Sequence, residues 1–113
     1  MKHRVYVAGP YSASDSMQIY LNVRRASDYA AAIMQRGHLA HSPHNATHWI
    51  AELYKGCSWN TYENWMELDF SIIDHWATAL YVIDESPGVL REIERARERH
   101  LPIWRSLDEV PRV

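Results

Sequence analysis

Residues 78–100 read TALYVIDESPGVLREIERARERH, and this stretch decides the fold class. It begins with an apolar run typical of a buried strand, continues through the turn DESPG, and ends in a helix that we expect to start at Gly88. Val89, Ile93 and Ala96 recur at i, i+4 and i+7, so they define the inward face of that helix. The stretch therefore predicts one strand–turn–helix unit of an α/β protein.

The rest of the chain alternates between strands and helices in the same way. We expect strands in RVYVAGP, HLAHSP, TALYVID and LPIW, and helices from residue 19 to a cap at Gly37, over 49–53, over 62–76 and from Gly88. This order predicts one α/β domain, residues 1–113, with a Rossmann-like (flavodoxin-like) open parallel sheet flanked by helices. Ligands bind such sheets beyond the carboxyl ends of the strands, which places the turn at Gly9–Pro10 and the turn before Gly88 on one edge.

The composition limits the classes of partner. The formal charge is −2, so the chain has no basic field for a nucleic-acid backbone. Cys57 is the single cysteine, which excludes an internal disulfide and a cysteine-based zinc site and suits a reducing compartment. No apolar run approaches the ~20 residues that cross a bilayer, and MKHRVYVAGP has no signal-peptide character. We expect a cytoplasmic protein that binds neither nucleic acid nor membrane.

Glu92 is out of place in the helix that follows Gly88. At 100° per residue it falls beside Val89 and Ala96 on the inward face, away from the charged outer side. Two interpretations remain open. Glu92 is either an acid near the helix start that favours the helix dipole, or a carboxylate held at the ligand edge for chemistry.

Asp69 is a second inward carboxylate, in the middle of the apolar face of the helix over 62–76. A buried, unpaired carboxylate is costly, so Asp69 either bonds backbone amides or an arginine, or lines a cavity. Paired carboxylates at a ligand edge can act as a nucleophile and its acid or orienting partner at a sugar carbon.

Four segments together resemble the nucleoside 2-deoxyribosyltransferase-like superfamily: VYVAGPYS, NVRRASDYAAAIMQRGHLAHSPHNATHW, YENWMELD and SPGVLREIERARERHLPIW. The family pattern of a Gly, a catalytic Glu four residues later and a small residue four further on matches Gly88, Glu92 and Ala96. The resemblance implies that Glu92 attacks the anomeric carbon of a deoxyribosyl group, and that a second base or water then takes the sugar. It also implies that Tyr6 orients the Glu and that Asp69 lies near the sugar and base.

Two departures from the family pattern bear on the substrate. A second family Asp, eight residues after the first, is replaced by Ala77. The turn before the helix contains Ser86, which resembles the 2′-deoxynucleoside 5′-phosphate N-hydrolases of the same superfamily, where this hydroxyl and nearby amides hold the 5′-phosphate. Ser86 and Gly88 are therefore the phosphate candidates, and we expect Ser12 and the Gly9–Pro10 turn to face them. An ordinary helix cap is the alternative role for Ser86.

The histidines and tryptophans allow more than one interpretation. His41, His44 and His48 have a spacing that suggests a metal site, but no cysteine or nearby acid completes the set, so we expect no metal. We expect SPHNATHW to form a loop over the site, where His44 or His48 touches a phosphate or base. Three tryptophans are candidates for a wall that stacks on the base, or for ordinary core: Trp49, Trp59 and Trp65.

The sequence favours an enzyme that cleaves the N-glycosidic bond of a nucleoside or a nucleoside 5′-monophosphate, with hydrolysis ahead of base exchange because of Ser86. Arg91 is the one member of the charged helix face close enough to the Gly88 turn to be a candidate contact. The resemblance implies a homodimer or larger homo-oligomer and no cofactor. The alternative functions are a nucleotide-binding module of the same fold, which the loss of the acid at Ala77 favours, and an interaction protein whose tryptophans form an apolar patch.

Overall fold

A computed structural model describes all 113 residues. The chain forms four strands, four α-helices and one 3-10 helix in this order: β1 (Arg4–Ala8), α1 (Ser16–Gln35), β2 (Leu39–His41), α2 (Pro43–Leu53), α3 (Tyr62–His75), β3 (Ala79–Val82), α4 (Pro87–Glu98), β4 (Ile103–Trp104) and the 3-10 helix Leu107–Glu109. None of the helices combines the length and the apolar character needed to cross a membrane.

The four strands form one sheet in the order β2-β1-β3-β4, and every neighbouring pair is parallel. The predicted open parallel sheet is confirmed. Tyr6 in the centre of β1 lies opposite His41 of β2 and Leu80 of β3. The chain passes from β1 through α1 to β2 on one side of β1, and then from β2 through α2 and α3 to β3 on the other side. A crevice therefore opens at the carboxyl ends of β1 and β3, where open α/β sheets bind ligands.

Alternation along the two central strands divides the core between the two faces of the sheet. Tyr6 and Leu80 belong to the buried cluster that also holds Val89, Ile93 and other residues of α3 and α4. Their neighbours along the strands, such as Val7, belong to the opposite cluster, which contains residues of α1 and of the chain after β4. Helices α3 and α4 thus pack on the face to which Tyr6 points.

Three predicted helix starts are wrong. Helix α1 begins at Ser16 and not at residue 19, because the Asp15 side chain caps it by accepting from the Met17 N–H. Helix α2 begins at Pro43, so SPHNATHW is mostly helical and is not the expected loop. Pro43 occupies the first helical position, where its missing N–H costs nothing, and this signal outweighs the weak helix propensity of the His, Asn and Thr that follow. Helix α4 likewise begins at Pro87, one residue before Gly88. The cap predicted at Gly37 is confirmed, since its φ of 99° follows directly on the end of α1.

Candidate active site

A cleft of about 530 Å³ opens at the carboxyl ends of β1 and β3, within the size range of small-molecule sites. Its walls come from the loop after β1 and from α2, α3 and the start of α4. The cleft brings together most residues that the sequence singled out: Gly9, Pro10, Ser12, His44, Asp69, Ser86, Gly88 and Glu92. Tyr6 is fully buried behind the cleft, and His48 lies outside its lining.

Glu92 lies on the wall of the cleft with only 4% of its surface exposed. The Tyr6 hydroxyl donates a hydrogen bond to Glu92 Oε2. The neighbouring arginines of α4 point elsewhere, because Arg91 pairs with Glu63 and Arg95 pairs with Asp74. Glu92 is therefore a buried carboxyl with a neutral partner. Since Pro87 is the first residue of α4, Glu92 also lies beyond the first turn, which excludes the interpretation as a first-turn acid.

Asp69 projects from α3 into the same cleft. The predicted helix phase is confirmed, because Met66 and Ile73, three residues before and four after it, are buried. Burial raises the pKa of Asp69 to about 7, and a hydrogen bond with Tyr6 opposes part of this rise. Asp69 forms no ion pair with an arginine or lysine of the chain, so the interpretation as a structural ion pair is wrong.

Asp69 and Glu92 line the same cleft, and both carboxyls titrate near neutral pH. Burial raises the pKa of Glu92 to about 8, the Tyr6 hydrogen bond lowers it, and the negative charge of Asp69 raises it. The pKa of Tyr6 lies well above 10, mainly because the ring is buried and also because both carboxyls are near. Tyr6 therefore stays a hydrogen-bond donor, while the Glu92–Asp69 pair titrates as a unit between protonated and ionised forms.

The start of α4 forms the other end of the cleft. The Ser86 hydroxyl caps the helix by accepting a hydrogen bond of 3.3 Å from the Val89 N–H. This bond uses a lone pair, so the hydroxyl proton is free to donate to a ligand. Pro87 has no N–H, and the Gly88 N–H has no hydrogen-bond partner within the chain. The helix start thus offers two donors to an anionic or hydroxyl group.

The Gly9–Pro10 turn is held by close packing and by His44. A methyl group at Gly9 would lie 3.0 Å from Ile83 Cδ1, so the Ile83 side chain would have to shift to make room for it. His44 Nε2 lies 2.6 Å from the Gly9 carbonyl oxygen and donates to it. His44 therefore lines the cleft, but its Nε2 is already occupied by the hydrogen bond to the Gly9 carbonyl.

Of the two histidines for which a contact with a phosphate or base was expected, His44 lines the cleft and His48 does not. His48 Nδ1 lies 2.8 Å from the Tyr11 hydroxyl. Tyr11 also stacks on His44 with ring centroids 4.9 Å apart. No three His, Cys, Asp or Glu side chains of the chain are placed to hold a metal ion.

The sequence did not indicate several residues of the cleft wall, among them Tyr11, Thr47 and Asn60. The motif AGPYS contains Tyr11 directly after the predicted turn, so its position was the available signal. Of the three candidate tryptophans only Trp65 lines the cleft, where Asn60 accepts a hydrogen bond of 2.7 Å from its indole N–H. The others, Trp49 and Trp59, are 67% and 45% exposed.

The fold is shared with a solved 2-deoxyribosyltransferase. That protein comes from the psychrotolerant bacterium Bacillus psychrosaccharolyticus, and the structural match has a TM-score of 0.60 and 17% sequence identity. The match covers 88% of this chain and 69% of that chain. No protein-family model matches the sequence, and no curated protein matches it either. At this identity the likeness shows the Rossmann-like α/β fold.

Ala77 packs partly buried against the core cluster beneath α3 and α4 and does not line the cleft. The position therefore offers no polar contact to a ligand. Any polar recognition of a base at the far end of the cleft must come from the side chains that do line it, such as Thr47 and Thr61.

Proposed function

We propose that this protein cleaves the N-glycosidic bond of a 2′-deoxynucleoside or its 5′-monophosphate through a covalent glycosyl intermediate on Glu92. One observation carries the proposal: Glu92 is buried at the wall of the cleft, is held by the neutral donor Tyr6, and faces a second carboxyl without a neutralising cation. Burial of two carboxyls without a cation lowers the free energy of unfolding, and it suits a group that must ionise during a reaction. The fold shared with a 2-deoxyribosyltransferase supports the same class of chemistry.

In the first step a carboxylate oxygen of Glu92 attacks the anomeric carbon, and the bond from this carbon to the base nitrogen breaks. The bonding electron pair leaves with the base, which takes a proton from Asp69. The products of this step are a glycosyl ester on Glu92, the neutral base and ionised Asp69. In the second step the oxygen of a water molecule attacks the anomeric carbon while Asp69 takes a proton from the water. The bond between the anomeric carbon and the Glu92 oxygen breaks, which releases the sugar and restores the Glu92 carboxylate.

The reactive form needs ionised Glu92 and protonated Asp69. Tyr6 helps Glu92 to reach this form, because its hydroxyl donates to the Glu92 carboxylate and lowers the pKa of Glu92. In the free protein the pKa of about 8 for Glu92 exceeds that of about 7 for Asp69. Both carboxyls therefore titrate near neutral pH as a coupled pair. Activity should be greatest between these pH values, with a loss on both sides.

The start of α4 supports a substrate that carries a 5′-phosphate. Ser86 and the Gly88 N–H offer donors in the same cleft as Glu92, and helix starts favour anions. We therefore favour hydrolysis of a nucleoside 5′-monophosphate over base exchange. Ser12 and the Gly9–Pro10 turn line the opposite part of the loop wall and would bound the sugar.

A homodimer or larger homo-oligomer is part of the proposal. Members of the superfamily that the sequence resembles complete their sites with a neighbouring subunit. Trp49 and Leu53 of α2 are 67% and 71% exposed, and their helix also supplies a wall of the cleft. A second copy would cover such apolar surface.

Release of free base from a panel of 2′-deoxynucleosides and their 5′-monophosphates tests the proposal, with and without a second base. The wild type is compared with Glu92→Gln, which keeps the shape and the acceptor for Tyr6 but removes the nucleophile. Release by the wild type alone is the expected result, and exchange only in the presence of a second base would make the protein a transferase. Equal release by both proteins would refute the role of Glu92.

A nucleotide-binding module without turnover is the second candidate, and the apolar residue at Ala77 favours it. In that case the wild type would bind a nucleotide tightly and release no base. Isothermal titration calorimetry of the same panel separates the candidates, because a pure binder should tolerate Glu92→Gln with unchanged affinity.

A further inference from the structure

We infer that Tyr62 and Arg91 decide whether the substrate sugar carries a free 5′-hydroxyl or a 5′-phosphate. The inference rests on the proposed function, in which Glu92 marks the anomeric carbon. Tyr62 is the first residue of α3, and Arg91 lies three residues after Gly88 in α4. Neither residue takes part in the glycosidic chemistry proposed above.

The position of the 5′ end follows from the geometry of α4. Gly88 precedes Glu92 by one turn, which is roughly 6 Å along the helix axis toward the start of the helix. The Gly88 N–H has no partner within the chain, and amides at a helix start attract oxygen atoms that carry negative charge. A sugar with its anomeric carbon at Glu92 therefore places its 5′ substituent beside Gly88 when it lies along this wall of the cleft.

The Tyr62 hydroxyl faces that space. A methyl group at Gly88 would lie 3.3 Å from the Tyr62 hydroxyl oxygen, and Tyr62 lines the same cleft as Gly88 and Ser86. A 5′ substituent seated on the Gly88 N–H is thus within reach of the Tyr62 hydroxyl. A phenol can donate to a phosphate oxygen or exchange hydrogen bonds with a 5′-hydroxyl, so Tyr62 alone does not choose between them.

Arg91 supplies the positive charge that favours a 5′-phosphate over a 5′-hydroxyl. The cleft is lined by two carboxyls and by no lysine or arginine, so a phosphate dianion would enter without a direct cationic contact. The Arg91 guanidinium carbon lies over the Tyr62 ring, 5.6 Å from its centroid, and the hydroxyl of the same ring faces Gly88. A guanidinium in this position makes the phenol a stronger donor and raises the local potential, both of which favour a phosphate.

Glu63 pairs with Arg91 and so reduces the positive potential that Arg91 produces in the cleft. Arg91 donates to both carboxylate oxygens of Glu63, at 2.8 and 3.3 Å, and this pair is exposed. The ion pair holds the guanidinium over the Tyr62 ring and also offsets part of its charge. Arg91 is therefore a positioning residue that acts through Tyr62, and Tyr62 is the specificity-determining contact.

The test compares kcat/KM for the four common 2′-deoxynucleosides with kcat/KM for their 5′-monophosphates, and takes the ratio of monophosphate to nucleoside. Tyr62→Phe should lower this ratio about tenfold, the effect of losing one hydrogen bond to a charged group. Arg91→Met should lower it about threefold or more, and the difference from wild type should shrink at high salt. Arg97→Met, which removes an exposed arginine of the same helix, is the matched control and should leave the ratio unchanged.

Glu63→Gln tests the positioning role separately. The amide oxygen of the variant can still accept a hydrogen bond from Arg91 and hold it over the Tyr62 ring, while the negative charge is removed, so the ratio should rise. An unchanged or lower ratio in this variant would contradict the role of Arg91.

The inference and the proposed function fail in different ways. If Tyr62→Phe and Arg91→Met release base from nucleosides and keep the wild-type ratio, the inference is wrong and the proposed function stands. If the wild type releases no base from any substrate, the proposed function is wrong. Dissociation constants for the same nucleosides and monophosphates, measured by calorimetry on the same variants, then give the ratio without turnover and decide the inference.

Discussion

Glu92→Gln should stabilise the protein in alkaline solution while it abolishes base release. Burial of the carboxyl raises its pKa from 4.5 to about 8. Between these values the folded chain holds a proton that the unfolded chain has released, so the free energy of unfolding falls as the pH rises. The amide of the variant does not titrate and still accepts the hydrogen bond from Tyr6. The variant therefore loses this pH dependence.

The magnitude follows from the two pKa values of Glu92. Because each tenfold change in proton affinity is worth about 1.4 kcal/mol, ionisation costs the wild type on the order of 4 kcal/mol at pH 9 relative to pH 5. This is a large share of the stability of a small domain. Asp69 titrates in both proteins, so the difference between them isolates Glu92.

Urea unfolding followed by tryptophan fluorescence at pH 5, 7 and 9 measures this difference. The free energy of unfolding of Glu92→Gln minus that of the wild type should increase with pH, whatever constant offset the amide introduces. Glu94→Gln, an exposed carboxylate of the same helix, is the control and should give a flat difference. A flat difference for Glu92→Gln as well would refute the reasoning, because the carboxyl would then be ionised in the folded protein at no cost.

Three further substitutions test the site. Tyr6→Phe removes the hydrogen bond that lowers the pKa of Glu92, so base release at pH 7 should fall about 10- to 100-fold, and a pH–rate profile should show the rising limb moved to higher pH. Asp69→Asn cannot protonate the base, so kcat should fall about 100-fold or more for ordinary substrates and much less for a 2-deoxyriboside with an activated leaving group, such as p-nitrophenol. Ser86→Ala leaves the Val89 N–H without its cap, so thermal denaturation should report a loss of about 1 kcal/mol, and an unchanged melting temperature would contradict the capping role.

The sheet and most of its helices could be predicted from the sequence because their periodicity is strong. The apolar run of β3 and the i, i+4, i+7 pattern of α4 each fix an element without knowledge of the rest. Helix α2 was predicted too short, since its first turn consists of residues with weak helix propensity. A tertiary contact holds that turn, because His44 donates to the Gly9 carbonyl. Such contacts are invisible to local pattern analysis.

The candidate site likewise contains residues that helical period predicts and contacts that it does not predict. The inward direction of Asp69 and Glu92 follows from helical period alone, because each lies on a helix with a clear apolar face. The bond between Tyr6 and Glu92 joins residues 86 positions apart and depends on which strand lies beneath α4, so it was expected only from the family resemblance. His48 lies outside the lining of the cleft and contacts the Tyr11 hydroxyl, 37 positions away in the sequence, which helical period does not predict.

The ion pairs of α4 support the proposed role of Glu92. The helix carries three arginines, yet Arg91 pairs with Glu63 and Arg95 pairs with Asp74 of α3. A bond to either arginine would lower the pKa of Glu92 and remove most of its cost to the folded state. An apolar residue at this position would pack among the buried side chains of α4 without that cost. An ionisable group that remains buried, uncompensated and open to a cleft has no structural advantage. The gain in alkaline stability and the loss of base release should therefore appear together in Glu92→Gln, and a gain in stability with base release intact would assign the nucleophile elsewhere.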